Sequence, residues 1–175
     1  MKKNTFLQSI SPNKVIRGEH AWLEGKKLIP LITKKPILIG RSKATSDIRE
    51  KIKSDLCNMG LYPSKGLIEY GCCELDLAKA NHELKQDNCD AVIAAGGGKV
   101  LDAGKLIAHR NNLPCITVPL SASTCAGWTA LSNIYSSKGA FERDQTLSSC
   151  PDLLIFDHNF VRSAPSRTLA SGIAD

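Results

Sequence analysis

The sequence predicts an α/β fold in which a parallel sheet is covered by helices on both faces. Short, continuous apolar runs alternate with longer segments whose apolar residues recur at helical spacing. Continuous apolar runs are typical of strands buried on both faces, as the strands of a parallel sheet are. The glycine triplet Gly96–Gly98 joins one such run directly to a helical segment. Together these observations predict a Rossmann-like α/β domain.

The first elements follow this alternation. No element is predicted before residue 14, and the start of the chain is expected to be disordered. Lys14–Arg17 is a short predicted strand, and a helix is predicted from Glu19 to about Leu31. Pro36–Gly40 is a buried strand. In the next helix, which Gly60 ends, the apolar residues recur at helical spacing and are Ile48, Ile52, Leu56 and Met59.

The middle of the chain continues the pattern around the glycines. Gly66–Tyr70 is a predicted strand, and Leu75 to Leu84 mark a helix. Ala91–Ala95 is the strand before the glycine triplet, and the helix after it runs from about Lys99 to His109. Pro114–Val118 is the next buried strand.

Beyond residue 118 the pattern changes to a predicted hairpin. Ala130–Ser136 and Phe141–Thr146 form its two strands, with a turn at residues 137–140. Asp152–Asp157 is a last buried strand, and a final helix begins at about Ser163. The hairpin is therefore predicted to be an insertion in the parallel-sheet domain.

Composition excludes several functional classes. Aromatic residues make up 5% of the chain, which is too few for a base-stacking surface, and the net charge of +6 is dispersed. Nucleic acid is therefore not expected as a partner, whereas small anionic ligands are. No apolar run approaches the ~20 residues that span a bilayer, and no export signal is visible, so a cytoplasmic location is expected. Seven cysteines without a CxxC pair are expected to be reduced thiols.

The glycine turn predicts an anion site. Without Cβ atoms at Gly96–Gly98, backbone N–H groups can approach a ligand closely, and the following helix adds the positive end of its dipole. We therefore expect Gly97, Gly98 and Lys99 to contact a diphosphate. The segment fits neither the Walker A pattern nor GxGxxG, and a tight turn without a ligand is the competing interpretation. Loops after Ile39, Ala95 and Val118 should converge at the carboxyl ends of their strands.

Five ordered segments resemble glycerol dehydrogenases of the iron-containing alcohol dehydrogenase family. They read GGGKVLDAGK, VPLSASTCAGWTALSNIY, GAFE, PDLLIFD and APSRTLASGIAD, and the resemblance extends from about Ser11 to the last residue. It implies a nucleotide-binding domain of the dehydroquinate synthase-like type over residues 1–162, with residues 163–175 beginning a helical metal-binding domain. That helical domain is otherwise expected to be absent, so the chain represents a truncated, N-terminal half that is inactive alone.

The resemblance also implies cofactors and site residues. The expected cofactors are NADP or NAD and a divalent metal, zinc or iron. Asp175 matches a metal ligand of the family, but one carboxylate cannot hold a catalytic metal, which needs about three protein ligands. Ser123 and Thr124 carry hydroxyls that can reach phosphate or the nicotinamide carboxamide, with plain turn roles as the alternative. Positions that line the dinucleotide in the family match Leu120, Ser123, Thr129, Leu131 and Tyr135.

Two departures from the glycerol dehydrogenase pattern bear on specificity. Arg41 stands where those enzymes usually carry an aspartate, which predicts NADP(H) over NAD(H), because arginine attracts a 2′-phosphate that a carboxylate repels. A solvated basic loop is the alternative. Cys125 replaces an aspartate that touches the polyol, and Trp128 adds bulk nearby. Both changes favour a 2-oxo or 2-hydroxy acid over glycerol, as in hydroxycarboxylate dehydrogenases.

The resemblance therefore predicts a metal-dependent oxidoreductase. It transfers hydride between NAD(P) and a small alcohol, polyol or 2-hydroxy acid, and the complete enzyme is expected to be a homo-oligomer. Two alternatives remain open: a dehydroquinate synthase-like lyase, and a non-catalytic remnant that binds a nucleotide. Asp102 and Lys105 lie one helical turn apart, and a structural pair is at least as good an interpretation of them as a ligand role.

Overall fold

The computed structural model describes residues 10–174 and contains a six-stranded, entirely parallel sheet. Across the sheet the strands follow the order β1-β8-β5-β4-β2-β3, and a separate antiparallel hairpin pairs β6 with β7. The predicted α/β class and parallel sheet are thus confirmed. The strands are β1 (Lys14–Gly18), β2 (Pro36–Gly40), β3 (Ser64–Leu67), β4 (Ala91–Gly96), β5 (Cys115–Pro119), β6 (Leu131–Tyr135), β7 (Phe141–Thr146) and β8 (Leu153–Asp157).

Six α-helices accompany the strands in the described part of the chain. The disorder expected at the start of the chain concerns residues most of which lie outside the described part. Most helix bounds agree with the sequence patterns to within a few residues. The helices are α1 (Ala21–Gly25), α2 (Ser46–Asn58), α3 (Glu74–Gln86), α4 (Gly98–Asn111), α5 (His158–Arg162) and α6 (Ser166–Ala174).

Two predicted boundaries were wrong for identifiable reasons, and one helix was missed. The helix expected from Glu19 to Leu31 is only α1 followed by a 3₁₀ turn over Lys26–Leu31, because Pro30 cannot donate the hydrogen bond that an α-helix requires. Strand β3 ends at Leu67 rather than Tyr70, since the Asp76 carboxylate binds the N–H groups after it and holds them in a loop. Helix α5 was missed, although Asp157 caps it with its side chain.

The two faces of the sheet carry separate apolar clusters. On one face α3 and α4 pack against Ile37, Ile39 and Val92, and the hairpin joins this cluster through Ile134. On the other face α1 and α2 pack against strand residues of the opposite orientation, among them Leu38. Because the side chains of a strand alternate between faces, successive residues of β2 belong to different clusters.

This arrangement creates a crevice between neighbouring strands. Strands β2 and β4 are adjacent, but α2 follows β2 onto one face and α4 follows β4 onto the other. Open α/β sheets bind ligands at the carboxyl ends of two adjacent strands whose following helices lie on opposite faces of the sheet. The fold therefore places the loop after Gly40 and the glycine turn after Gly96 on opposite sides of one opening.

The last described helix is only partly packed. Helix α6 approaches the loop after β5 so closely that a Cβ on Gly172 would lie 1.9 Å from the Ala122 carbonyl oxygen. Its apolar residues Leu169 and Ile173 are nonetheless 55% and 79% exposed. The proposed domain division after residue 162 stays a prediction. No helix within residues 10–174 is long and apolar enough to cross a membrane.

Candidate functional site

The crevice contains a cleft of about 270 Å³. Three loops converge on it, those that follow β2, β4 and β5, which confirms the expected convergence. The start of α6 closes a further side. Ligand pockets usually measure about 300–1,000 Å³, so the cleft suits one part of a dinucleotide rather than the whole. Six predicted cofactor-binding residues line it: Arg41, Gly97, Gly98, Lys99, Leu120 and Ser123.

The glycine turn presents backbone donors to this cleft. Gly97 is the N-cap of α4, and its carbonyl accepts from the N–H groups of Val100 and Leu101 at 2.9 and 3.1 Å. The N–H groups of Gly98 and Lys99 belong to the first turn, where helical geometry supplies no carbonyl partner. The N-cap residue is a glycine and therefore has no side chain to cap this end. An anion in the cleft can accept from these groups and gains the attraction of the helix dipole.

The two glycines differ in the space around them. A Cβ added to Gly97 would meet no described atom within 4 Å, so this position borders open space. A Cβ on Gly98 would lie 3.2 Å from the Thr124 Oγ1 atom. Thr124 is therefore beside the glycine turn, although its hydroxyl also accepts from the Ala126 N–H at 3.0 Å. The absence of side chains thus opens the cleft at Gly97 and brings the β5 loop close at Gly98.

Two serine hydroxyls of the loop after β5 also line the cleft. The Oγ atoms of Ser121 and Ser123 are 2.6 Å apart, and Ser121 Oγ also accepts from the Ser123 N–H at 3.2 Å. The sequence pointed to Ser123 but missed Ser121, which is buried. The backbone fixes this loop, since the Leu120 N–H donates to the Gly96 carbonyl at 3.0 Å. Ser121 could have been found as a hydroxyl directly after the strand end.

Positive charge dominates the cleft. Arg41, Lys99 and Arg167 line it, and no carboxylate of the described residues does. Arg41 is exposed, and its Nε donates to the Glu69 carbonyl at 2.9 Å. The sequence missed Arg167, which lies on α6 close to Pro165. The electrostatics of the cleft therefore favour an anionic ligand.

The side chains of Lys99 and Tyr135 are in contact with each other. The Lys99 Nζ atom is 4.3 Å from the centroid of the Tyr135 ring, a cation–π contact. Gly71 provides room for the lysine stem, because a Cβ there would lie 2.8 Å from Lys99 Cδ. Lys99 borders the cleft, whereas Tyr135 is not among its lining residues. A dinucleotide role of Tyr135 stays a prediction.

Thr129 and Leu131 bind the end of a buried lysine. The Lys105 Nζ atom donates to the Thr129 carbonyl at 3.2 Å and to the Leu131 carbonyl, and it lies 3.2 Å from Asp102 Oδ1. Burial raises the pKa of the Asp102 carboxyl, and the Lys105 ammonium opposes that shift. The pair attaches the loop before β6 to α4, which supports its structural interpretation. Neither Thr129 nor Leu131 lines the cleft.

The predicted substrate residues lie on the loop after β5. Cys125 is exposed, and its carbonyl accepts from the Trp128 N–H at 2.9 Å. The Trp128 ring packs against Phe156, with centroids 6.3 Å apart, and Phe156 in turn contacts the His158 ring. Neither Cys125 nor Trp128 lines the 270 Å³ cleft. Their substrate roles stay predictions.

A metal site is not formed by the described residues. Within residues 10–174 no group of three or more His, Cys, Asp or Glu side chains could hold a metal ion. Asp175, the predicted metal ligand, lies outside the described part of the chain. No disulfide is formed within residues 10–174, and five of the seven cysteines are buried.

The chain is similar in sequence and in fold to known proteins of one family. The sequence matches the family described as iron-containing alcohol dehydrogenase over residues 12–158. The chain belongs to the iron-containing alcohol dehydrogenase family. An uncharacterized oxidoreductase of Synechocystis is 40% identical over 168 residues, which are 95% of this chain and 43% of that protein. Hydroxycarboxylate dehydrogenase A of Escherichia coli is 33% identical over 117 residues, 66% of this chain and 32% of that protein.

Solved structures of the iron-containing alcohol dehydrogenase family agree with the fold. The crystal structure of glycerol dehydrogenase from Schizosaccharomyces pombe superposes with a TM-score of 0.82 at 30% identity. The superposition covers 98% of this chain and 43% of that structure. The chain thus spans less than half the length of these relatives, over the part that contains the parallel sheet and the glycine turn.

Proposed function

We propose that this chain binds the nicotinamide coenzyme of a dehydrogenase that acts on a small alcohol, polyol or 2-hydroxy acid. One observation carries the proposal: the uncapped N-terminus of α4 faces a cleft lined by Arg41, Lys99 and Arg167 and by no described carboxylate. A nicotinamide dinucleotide is an anion with a diphosphate bridge, which matches these donors. The bound coenzyme supplies the hydride donor or acceptor.

The residues of the cleft bind and orient the coenzyme. The N–H groups of Gly98 and Lys99 hold the diphosphate, and the open space at Gly97 lets the bridge approach the backbone. Ser123 lines the cleft and Thr124 lies beside this turn. Their hydroxyls can donate to phosphate or to the carboxamide. The fixed loop geometry costs little ordering on binding, because its bonds exist without the ligand.

The coenzyme is NADP(H) in preference to NAD(H). Arg41 follows β2 directly and lines the cleft. From this position a carboxylate accepts from the ribose hydroxyls in NAD-specific sites, whereas an arginine donates to a 2′-phosphate. The Glu69 carbonyl accepts from the Arg41 Nε, which leaves the Nη groups of the guanidinium available to a ligand.

The substrate is a 2-hydroxy or 2-oxo acid in this proposal. Support comes from Cys125, which stands where glycerol dehydrogenases carry an aspartate that contacts the polyol, and from the added bulk of Trp128. The likeness to a hydroxycarboxylate dehydrogenase also supports it. A glycerol-like polyol is the competing substrate, in line with the likeness to a glycerol dehydrogenase. A divalent metal, zinc or iron, polarises the substrate oxygen in such reactions. The described residues do not form its site.

A dehydrogenase is favoured over the two alternatives. The relatives named above are all called oxidoreductases or dehydrogenases, which favours hydride transfer over a lyase reaction. A remnant that binds a nucleotide without catalysis shares the cleft, and only turnover distinguishes it. Oxidation of 2-hydroxy acids or glycerol by the full-length enzyme, followed as NADPH absorbance, decides between these functions.

Calorimetric titration of the purified chain with NAD⁺ and NADP⁺ tests the binding proposal. We expect saturable heat with at least one coenzyme. If neither gives heat at millimolar concentration while circular dichroism shows an intact fold, the proposal is wrong.

A further inference from the structure

A buried carboxylate holds the loop that joins β3 to α3. Asp76 lies in the first turn of α3 and is 3% exposed. Its Oδ1 atom accepts from the Glu69 N–H at 3.0 Å, and its Oδ2 atom accepts from the N–H groups of Tyr70 and Gly71 at 2.6 and 2.8 Å. Hydrogen bonds to a charged acceptor are stronger than neutral ones. One side chain therefore fixes the backbone of three successive residues.

The charge of Asp76 is balanced by this loop and not by a cation. Asp76 forms no ion pair within residues 10–174. A buried carboxylate is costly unless hydrogen bonds satisfy its oxygens, which the three N–H groups do here. The N-terminal end of α3 adds the attraction of the helix dipole. The conformation of residues 69–71 is thus tied to α3.

Gly71, at one end of the held segment, supports the stem of Lys99. Its φ of +124° is a conformation that favours glycine, and a Cβ there would lie 2.8 Å from the Lys99 Cδ atom. The lysine stem therefore packs directly against the Gly71 backbone. Lys99 lines the coenzyme cleft and forms no ion pair within the described residues, so its charge is available to an anion.

The same loop also holds the aromatic ring at the charged end of Lys99. The carbonyl of Cys72, the residue after Gly71, accepts from the Tyr135 N–H at 2.8 Å. The Lys99 Nζ atom lies 4.3 Å from the centroid of the Tyr135 ring, and this cation–π contact favours one position of the ammonium. The loop thus contacts Lys99 at its stem and, through Tyr135, reaches its ammonium.

We propose that Asp76 is a positioning residue for the coenzyme diphosphate. It fixes residues 69–71, and these place the Lys99 ammonium at the cleft. The inference rests on the proposed coenzyme function and adds a residue that does not itself line the cleft. A free lysine side chain loses much conformational freedom when it is ordered on a ligand. An ammonium that is already in place lowers this cost of binding.

Arg41 offers a second connection that the test has to separate from the first. Its Nε donates to the Glu69 carbonyl at 2.9 Å, so the held loop also contacts this side chain. The diphosphate occurs in both NAD⁺ and NADP⁺, whereas the 2′-phosphate occurs only in NADP⁺. An effect that passes through Lys99 therefore weakens the binding of both coenzymes equally. An effect that passes through Arg41 weakens the binding of NADP⁺ more.

A double-mutant cycle measured by calorimetry tests the proposal. Asp76→Asn keeps the size of the side chain but removes its charge and one acceptor oxygen. We expect it to lower the affinities for NAD⁺ and NADP⁺ by about threefold each. Lys99→Met should lower both by about tenfold. Asp76→Asn should add no further loss in the Lys99→Met background, because its effect passes through Lys99.

Asp90→Asn is the matched control. The Asp90 carboxylate also accepts from backbone N–H groups, those of Lys34 and Lys35 at 2.9 and 3.0 Å. It directly precedes β4, however, and so lies at the opposite end of that strand from the glycine turn. The control variant loses hydrogen bonds of the same kind and should leave both affinities unchanged. Circular dichroism establishes that each variant is folded.

Amide hydrogen exchange tests the positioning without a substitution. In the unmodified chain the N–H groups of Glu69, Tyr70 and Gly71 should exchange at least about tenfold more slowly than in an unstructured peptide, before any coenzyme is added. Exchange at the unstructured rate shows that the loop is not held and overturns the inference. This measurement decides the matter even if Asp76→Asn does not fold.

The outcomes separate this inference from the coenzyme function. If neither coenzyme binds to the unmodified chain, the coenzyme function is wrong and the inference falls with it. If the unmodified chain binds them and Asp76→Asn changes neither affinity, only the inference is overturned. A loss confined to NADP⁺, a loss of the same size in the Lys99→Met background, or an equal loss in Asp90→Asn also overturns it.

Discussion

The Lys105 ammonium lies 3.2 Å from the Asp102 carboxylate, and the two side chains are only 2% and 8% exposed. The pair lies one turn apart on α4, and Lys105 also donates to the backbone of Thr129 and Leu131. Ser132 completes the contact by donating to the Asp102 carbonyl at 3.1 Å. The helix that carries the glycine turn is thereby joined to the segment that leads into the hairpin.

Removal of Lys105 should strongly destabilise the fold. Lys105→Met leaves the Asp102 carboxyl buried without its cation, and we expect a loss of about 3–5 kcal/mol in the free energy of unfolding. Urea denaturation measures this loss. Lys27→Met is the matched control, because its pair with Glu24 is more than 60% exposed on both sides. A cost for Lys105→Met as small as that of the control contradicts the structural role.

Stability should fall in acid partly through Glu74. Hydrogen bonds and charge from Arg110 and then Arg143 hold the pKa of this carboxyl below its ordinary value, despite an opposing effect of burial. A lowered folded-state pKa stabilises the fold above the unfolded pKa, and that contribution is lost as the pH falls from about 5 to 3. Glu74 is half exposed, so the contribution is below about 1 kcal/mol.

The variant Glu74→Gln tests this pH dependence. Unfolding free energies of the unmodified chain and the variant should differ at pH 6 and converge near pH 3. A difference that is the same at both pH values shows that Glu74 acts by packing and not by its charge.

The cysteines should differ sharply in reactivity. Burial raises the pKa of Cys72 and of Cys115 to about 12, so neither forms a thiolate near neutral pH. Cys57 and Cys125 are exposed. Iodoacetamide at pH 8 should therefore modify these two first, and peptide mass spectrometry measures the extent of labelling at each cysteine. If Cys115 in the folded chain is labelled as fast as Cys57 and Cys125, its environment is not buried.

The sequence predicted most of the fold because its signals are local. Apolar runs such as Ala91–Ala95 and the glycine triplet specify a strand and a turn without distant partners. The predicted end of a strand was wrong where a side chain from another part of the sequence binds the backbone. Asp76 ends β3 by binding three N–H groups that precede it, and no periodicity reports such a bond.

The site was predicted less completely than the fold. Gly97, Gly98 and Arg41 follow strand ends, and their place in the crevice follows from the topology alone. Arg167 was missed because it lies on α6, far along the chain from the glycine turn, and only the folded structure brings that helix to the cleft.

Gly97→Ala tests the central claim most directly. A Cβ at this position meets no described atom within 4 Å and projects from the N-cap residue of α4 at the cleft. The fold should keep its melting temperature, whereas the affinity for NADP⁺ should fall by at least about tenfold, because the methyl group blocks close approach of the diphosphate. Calorimetry of both chains gives the two dissociation constants. Unchanged NADP⁺ affinity in the folded variant contradicts a diphosphate held against this turn.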